Sequence, residues 1–339
     1  MSAARQTSSA PPHEAGGLTR FPALARYYIG RVSSSIAELL VLSLIVFLLV
    51  RLIPGDPAAG FFSANQSPTP EQIAQIHAKL GLDKPWYEQY WVWLIGVLHG
   101  DFGQSITTPF PVGEQIAQRF PYSLELALMA TLFALLIGIP LGLLSGQKKG
   151  KPADIAARLI SFVFISLPAF LLAVAILLWN SRGPKVRLIG AIPFSENPLG
   201  NLQLMALPAL ILALGFGSYV ARYTRASLVD DLDRPYVRTL RAVGTSDGTI
   251  ARISMRNALI PVTTVVAVEL ASLVGGTVII EQVFSIPGMG SFLIESIKRS
   301  DYPSVQGSIF VIGAVYVVLN LVVDLLYPLI DPRVRVVES

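Results

Sequence analysis

The 339-residue chain is 53% hydrophobic and only 14% charged, with its apolar residues gathered in long runs, which is too apolar for an ordinary soluble domain and reads as an integral membrane protein. Its formal net charge of +4 arises from arginines and lysines concentrated in particular loops, the pattern of an orientation signal, and points away from a nucleic-acid partner. No cysteine is present, which excludes disulfides, thiolate metal sites and cysteine nucleophiles.

Residues 1–25 are rich in Ser, Ala, Pro and Gly and are expected to form a disordered cytoplasmic tail. They lack the charged start and apolar stretch of a signal peptide. A helix needs roughly 20 mostly apolar residues to cross about 30 Å of hydrocarbon. Six stretches meet that test: Ser33 to Ile53, Tyr122 to Ser145, Leu159 to Trp179, Leu204 to Val220, Val262 to Ile280 and Ile309 to Leu329. An all-α, six-span membrane protein follows, with its membrane domain over residues 26–335.

The flanks orient it, because positive residues stay on the cytoplasmic side during insertion. Arg20, Arg26 and Arg31 precede the first span; Lys148, Lys149, Lys151 and Arg158 lie between the second and third; seven arginines from Arg222 to Arg256 lie between the fourth and fifth; Arg333 and Arg335 follow the sixth. All of these fall on one side of a six-span chain, so both termini, including the tail 336–339, are expected in the cytoplasm. Arg182, Lys185 and Arg187 dissent from the external side.

The external segment 54–121 contains two helix-like pieces. In one, Ile73, Ile76 and Leu80 recur with helical spacing and stop at Gly81. In the other, Tyr87, Tyr90, Trp91, Leu94 and Leu98 are expected to share one face after Pro85, forming an aromatic belt at the headgroup level or a surface on which substrate stacks.

Chemistry-bearing motifs are scarce. Gly150-Lys151 is followed by Pro152 and lacks the upstream glycine of a phosphate loop, and Gly215 with Gly217 reads as helix packing within a span. No metalloprotease, serine-hydrolase or paired-carboxylate arrangement occurs, and His13, His77 and His99 are scattered. No catalytic residue, metal site or cofactor of its own is therefore expected, and energy for uphill transport must come from a partner or an ion gradient. Two carboxylates are singled out as intramembrane groups: Glu125, near the outer end of the second span, and Glu269, deeper within the fifth. Each either lines a substrate pathway or is hydrogen-bonded to neighbouring helices. Asp324 and Asn320 read as polar groups at the inner end of the sixth span.

The internal loop 222–260 is long and basic. A helix is predicted to start near Pro235 and break at Gly244; Thr245, Ser246 and Asp247 then offer caps for a second helix running through Ile250, Ile253 and Leu259 towards the fifth span. Such a hairpin either transmits a push from a soluble partner or rests on anionic lipid.

The stretch Tyr236 to Pro261, Y-V-R-T-L-R-A-V-G-T-S-D-G-T-I-A-R-I-S-M-R-N-A-L-I-P, resembles the cytoplasmic glycine-centred loop of the inner-membrane permease subunits of ATP-binding-cassette importers. Further blocks resemble the dipeptide and oligopeptide branch: R-L-I-P-G-D-P (Arg51 to Pro57), L-G-L-D-K-P-W-Y-E-Q-Y (Leu80 to Tyr90), G-D-F-G-Q-S (Gly100 to Ser105), E-Q-V-F-S-I-P-G-M-G (Glu281 to Gly290) and D-Y-P-S-V-Q-G (Asp301 to Gly307). Arg238 stands where the general motif has Glu, Thr239 and Leu240 replace its alanine pair, and Pro261 comes later than its proline.

The resemblance implies a type I importer permease fold and a peptide cargo, with nickel or another small solute as the variant within the same class. It implies four kinds of partner besides membrane lipid: a second homologous permease, two ATPases that bind ATP and Mg, an external binding protein, and the peptide itself. Contact with the ATPases would fall on Arg238, Thr239, Arg241, Ala242, Gly244, Thr245, Ser246 and Asp247, and contact with the binding protein on Asp101, Phe102, Pro287, Gly288 and Gly290. For the segment from Glu281, a re-entrant turn capping the pathway is the other reading. Outside the resemblance stand a gradient-driven carrier using Glu269 and a membrane scaffold without a pathway.

Overall fold

The computed structural model describes residues 20–52, 69–72, 83–183 and 186–330. The predicted Ile73 to Leu80 helix, residues 1–19 of the N-terminal tail and the tail 336–339 lie outside them; residues 20–25, expected to be disordered, are instead the start of a helix. The long elements among the described residues are helices: α1 (Arg20–Leu52), α2 (Trp86–Leu98), α3 (Val112–Gln147), α4 (Pro152–Ser166), α5 (Ala169–Arg182), α6 (Pro198–Leu232), α7 (Pro235–Ala242), α8 (Asp247–Gly276), α9 (Val278–Phe284), α10 (Met289–Lys298) and α11 (Tyr302–Ile330). Five of them, α1, α3, α6, α8 and α11, are long and apolar enough to cross a membrane singly.

The third predicted span, Leu159 to Trp179, is not one straight helix. It is the pair α4 and α5, whose axes meet at 89°. Pro168 is the reason: a proline disfavours helical backbone in the residue before it, and Leu167 is extended at φ −90°, ψ 114°. A second bent pair, α9 and α10 at 84°, follows the fifth span and turns at Ser285, which takes the left-handed conformation at φ 52°.

The centre of the structure is the contact of α3 with α6. Gly138, Gly142 and Gly146 recur every fourth residue and put a bare strip of α3 against α6. A methyl group added at Gly142 would lie 2.6 Å from Thr224 Cβ, one at Gly138 2.8 Å from Val220 Cβ, and one at Gly146 2.9 Å from a Leu228 methyl. Gly217 answers from α6, with its missing Cβ facing Ala134 of α3, so the expectation that this glycine serves packing holds. Between lipid-facing helices no hydrophobic force favours association, and close backbone approach is how small residues supply van der Waals contact instead. Around this seam Leu126, Met205, Ala209, Ile211, Ile280 and Phe284 form a buried cluster that joins α3, α6 and α9.

Helix α1 and α2 lie at the periphery. Tyr90 and Trp93 of α2 pack on Phe47 of α1, and the Tyr90 and Ser43 hydroxyls are 2.8 Å apart. The inward stripe of α2 is therefore Tyr90, Trp93, Leu94 and Val97, while Trp86, Tyr87, Trp91 and Leu98 are exposed. This corrects the predicted face, which had joined Tyr87, Trp91 and Leu98 to Tyr90 and Leu94. Exposed Trp and Tyr on such a helix suit an interfacial belt.

The seam makes a prediction. Gly142→Leu overpacks it and should cost about 3 kcal/mol or more of stability, seen as a lowered thermal unfolding midpoint of the purified protein in detergent. Gly30→Ala on α1, where an added Cβ meets nothing within 4 Å, should leave that midpoint in place.

Candidate functional site

Two polar assemblies cap the helix bundle at opposite ends. At the first end, α6 continues past its apolar stretch to Leu232 and hands over to α7 through Arg234, held extended (φ −67°, ψ 151°) ahead of Pro235 at the first helical position. Helix α7 turns Val237, fully buried, towards the bundle. Next to it the Tyr236 hydroxyl donates to the carboxylate of Asp231, lies 3.2 Å from Ser254 Oγ and accepts from Asn257 Nδ2 at 3.2 Å. Asp231 and Ser254 are themselves buried, so this tyrosine clamps α7 between the end of α6 and the start of α8. Buried polar groups that are fully paired fix one arrangement of a hairpin.

The turn between α7 and α8 is built as predicted. Thr245 N–H donates to Leu240 O (3.0 Å) and Gly244 N–H to Arg241 O (3.1 Å), the two bonds of a Schellman helix end. Gly244 has φ 80°, and no atom lies within 4 Å of where its Cβ would be. Its requirement for glycine is thus conformational, since a left-handed residue with a side chain costs about 1–2 kcal/mol. Ser246 then caps α8, its Oγ accepting from Thr249 N–H. Outward from the clamp stand Arg238, Thr239, Arg241 and Ala242, with Val243 at the tip 72% exposed. Gly244, Ser246 and Asp247 are exposed as well, Thr245 is half-buried, and Arg241 pairs loosely with Asp247 at 3.9 Å. All eight residues assigned to the coupling loop therefore lie on one projecting turn.

Beside this hairpin is a latch that reading the sequence missed. Asp154, 1% exposed, accepts from Arg225 Nε (2.7 Å) and Nη2 (2.8 Å), from Ser145 Oγ (2.6 Å) and from Gly150 N–H (2.9 Å). It ties the ends of α3 and α6 to the start of α4. Arg225 had counted only as one more loop cation. The available signal was an aspartate in the first turn after Pro152, where an acid suits a helix start.

At the opposite end, Glu281 is fully buried and makes no ion pair among the described residues. It accepts from Ser123 Oγ (2.7 Å), Thr277 Oγ1 (2.8 Å) and Ser291 N–H (2.9 Å). A Cβ on Gly288 would overlap this carboxylate, and one on Gly290 would lie 2.6 Å from Val278 Cα. Gly288 and Gly290 are accordingly buried inside the α9–α10 hairpin, and of the three residues assigned to binding-protein contact there only Pro287 is exposed. Asp301, also buried, caps α11 through Ser304 N–H (3.3 Å) and gathers the chain after Gly103 by accepting from Ser105 Oγ, Thr107 Oγ1 (3.0 Å) and Ile106 N–H (3.2 Å). Asp101 is exposed and turns its own loop through Gly103 N–H (2.9 Å), whereas Phe102 packs against Val112, Ile116, Met289 and Phe292.

Of the two intramembrane carboxylates, Glu125 accepts from Asn201 Nδ2 (3.1 Å) on the neighbouring α6. Glu125 Oε1 and Asn201 Oδ1 are buried without a hydrogen-bond partner among the described residues. Glu269 is half-buried on α8 and has no hydrogen-bond partner among the described residues. It shares a helical stripe with Val262, Val266 and Leu273, which pack towards α3 and α6.

A family model described as binding-protein-dependent transport system inner membrane component matches residues 138–336, and one for the N-terminal part of such components matches residues 24–127. The chain belongs to this family. As an inner membrane component it is a multi-pass permease of the inner membrane. It is 37% identical over 307 residues to a putative peptide transport system permease of Brucella abortus, covering 90% of this chain and 97% of that one. It is 33% identical over 337 residues to the dipeptide transport system permease of Escherichia coli (92% and 99% covered) and 34% identical over 313 residues to the glutathione transport system permease of Salmonella choleraesuis (92% and 99%). The blocks on which the resemblance to importer permeases rested now have a physical content in this permease: Asp301 joins two of them, and the block from Glu281 closes on itself around its own carboxylate.

Removing one partner of a buried ion pair strands the other charge. Asp154→Asn should therefore destabilise the permease by about 3 kcal/mol in thermal unfolding. Lys149→Ala, which breaks the solvent-exposed 3.1 Å pair with Asp233, should change it by less than about 0.5 kcal/mol.

Proposed function

We propose that this permease forms half of the translocation pathway of an ATP-driven importer of di- or oligopeptides, and that the α7–α8 hairpin is the handle by which cytoplasmic ATPases move it. The observation that carries the reading is a projecting turn whose outer residues are exposed while its inner residues are clamped. Arg238, Thr239, Arg241, Ala242 and Val243 offer surface, and Val237 and Tyr236 fix that surface to α6 and α8. A hairpin lying on lipid needs no such clamp.

The distribution of arginines supports a cytoplasmic hairpin and cytoplasmic termini. The working complex would contain a second homologous permease, two ATPases that hold ATP and Mg, and an external binding protein meeting the surface around Pro287 and Asp101. This chain would contribute no ATPase site. ATP binding would draw the ATPases together, and the docked hairpins would carry the two permeases between inward-open and outward-open arrangements, the ligand shifting the balance by its preference for one of them. Relatives named for peptides, a dipeptide and glutathione support a small peptide-like cargo. Glu269, a carboxylate at membrane depth without a hydrogen-bond partner among the described residues, would meet the ammonium group of such a cargo.

The test is uptake by the complex reconstituted in vesicles. Arg241→Glu, which reverses charge on the exposed surface and leaves the clamp intact, should lower ATP-dependent uptake about tenfold or more at normal membrane insertion. Undiminished uptake in that variant would remove the hairpin from coupling. Uptake that follows an ion gradient without ATP, and is lost in Glu269→Gln, would instead make the chain a gradient-driven carrier.

A further inference from the structure

A polar cleft of about 490 Å³ lies between α1, α8 and α11, away from both assemblies described above. Helix α1 contributes Tyr27, Arg31 and Glu38, α8 contributes Thr264, and α11 contributes Asn320 and Asp324. Spacings of four and seven residues put Tyr27, Arg31 and Glu38 on one face of α1, and the same argument aligns Asn320 with Asp324. These are the ends of three spans at one membrane face, so the cleft opens at the headgroup level and reaches into the acyl region.

Charge and hydrogen bonding define what fits. Arg31 pairs with Asp324 at 3.3 Å and lies over the Tyr27 ring, whose hydroxyl donates to Asp324 O at 3.0 Å. Glu38 has no hydrogen-bond or charged partner among the described residues, and Thr264 Oγ1 is buried without one. The cleft thus holds one cation and two carboxylates, a net charge of −1, with the unmatched carboxylate two helical turns, about 10 Å, deeper than Arg31. Side chains on a helix lean towards its N-terminus, which brings Glu38 back towards the Arg31 level. A lone carboxylate at that depth is expensive and is retained where something pairs with it.

The surroundings point to the occupant. Deeper along the same faces, Val41 of α1, one turn beyond Glu38, and Val268 of α8, one turn beyond Thr264, are exposed apolar surface. A molecule with an ammonium group at one end and long apolar chains at the other satisfies both halves. We propose that this cleft is a binding site for an aminophospholipid of the leaflet on the Arg31 side, its ethanolamine ammonium on Glu38 and its acyl chains running past Val41 of α1 and Val268 of α8.

The experiment is lipid retention by the full chain expressed with its transport partners, purified from vesicles containing equal parts of phosphatidylethanolamine, phosphatidylglycerol and phosphatidylcholine, and read by native mass spectrometry. The wild type should retain phosphatidylethanolamine preferentially. Glu38→Gln should reduce that preference about fivefold, as the loss of one charge near the surface requires, while Glu38→Asp keeps most of it. Equal retention of the three lipids by the wild type overturns the proposal, and that arm needs no variant to fold. A preference unchanged in Glu38→Gln also overturns it. Displacement of the lipid by soluble ethanolamine would reassign the cleft to free amines and equally contradict a lipid site. None of these readouts depends on transport, so their failure leaves the importer reading where it stands.

Discussion

The close approach of α3 and α6 is the constraint from which both ends of this permease follow. With glycine at positions 138, 142 and 146, the backbones can meet closely along the last third of α3, and no hydrophobic driving force between lipid-facing helices is needed to hold them there. Once that distance is fixed, the end of α6 lies where Arg225 reaches Asp154 and where Asp231 meets Tyr236. At the other end Ser123 of α3 is brought within 2.7 Å of Glu281. Larger residues on the seam would move both polar assemblies off their partners.

Helix α8 joins the two assemblies. It begins at the cap formed by Ser246, passes Ser254 and Asn257 on the Tyr236 clamp, and ends one residue before Thr277, which donates to Glu281. Its thirty residues span about 45 Å as a helix. A displacement of the hairpin is thereby delivered to the α9–α10 turn with no flexible loop between, and Glu269 lies on the connecting rod. The sharp bend at Leu167–Pro168 stands outside this line, on helices α4 and α5, many of whose large apolar side chains face outward.

Local signals were readable along the chain. Pro235, Gly244 and Ser246 each act on their own backbone, so helix, turn and cap could be located from residue type alone, and the spans followed from run length. The bend was equally local, since the rule that restricts a residue before proline applies to Leu167; run length overrode it. What could not be read were pairings across large sequence separations. Asp154 with Arg225, Glu281 with Ser123 and Asp301 with Ser105 are 71, 158 and 196 residues apart, and nothing near either partner names the other. Gly288 and Gly290 illustrate the same limit: they look like a loop made to reach outward, and they are the space that Glu281 and Val278 occupy. Glu38 differs, because a carboxylate inside the first apolar run was open to the rule that singled out Glu125 and Glu269.

The central claim is that the hairpin moves with its own bundle as one body when the ATPases close. The absence of cysteine makes a direct measurement simple: spin labels at Val243→Cys and Lys149→Cys in the assembled complex, with distances taken by pulsed electron resonance before and after ATP is trapped. The account predicts an unchanged distance within one chain and a changed distance between the Val243 position and its counterpart on the partner permease. A shift or broadening of the distance within the chain would mean that the hairpin swings on its own, and the rigid handle would be wrong.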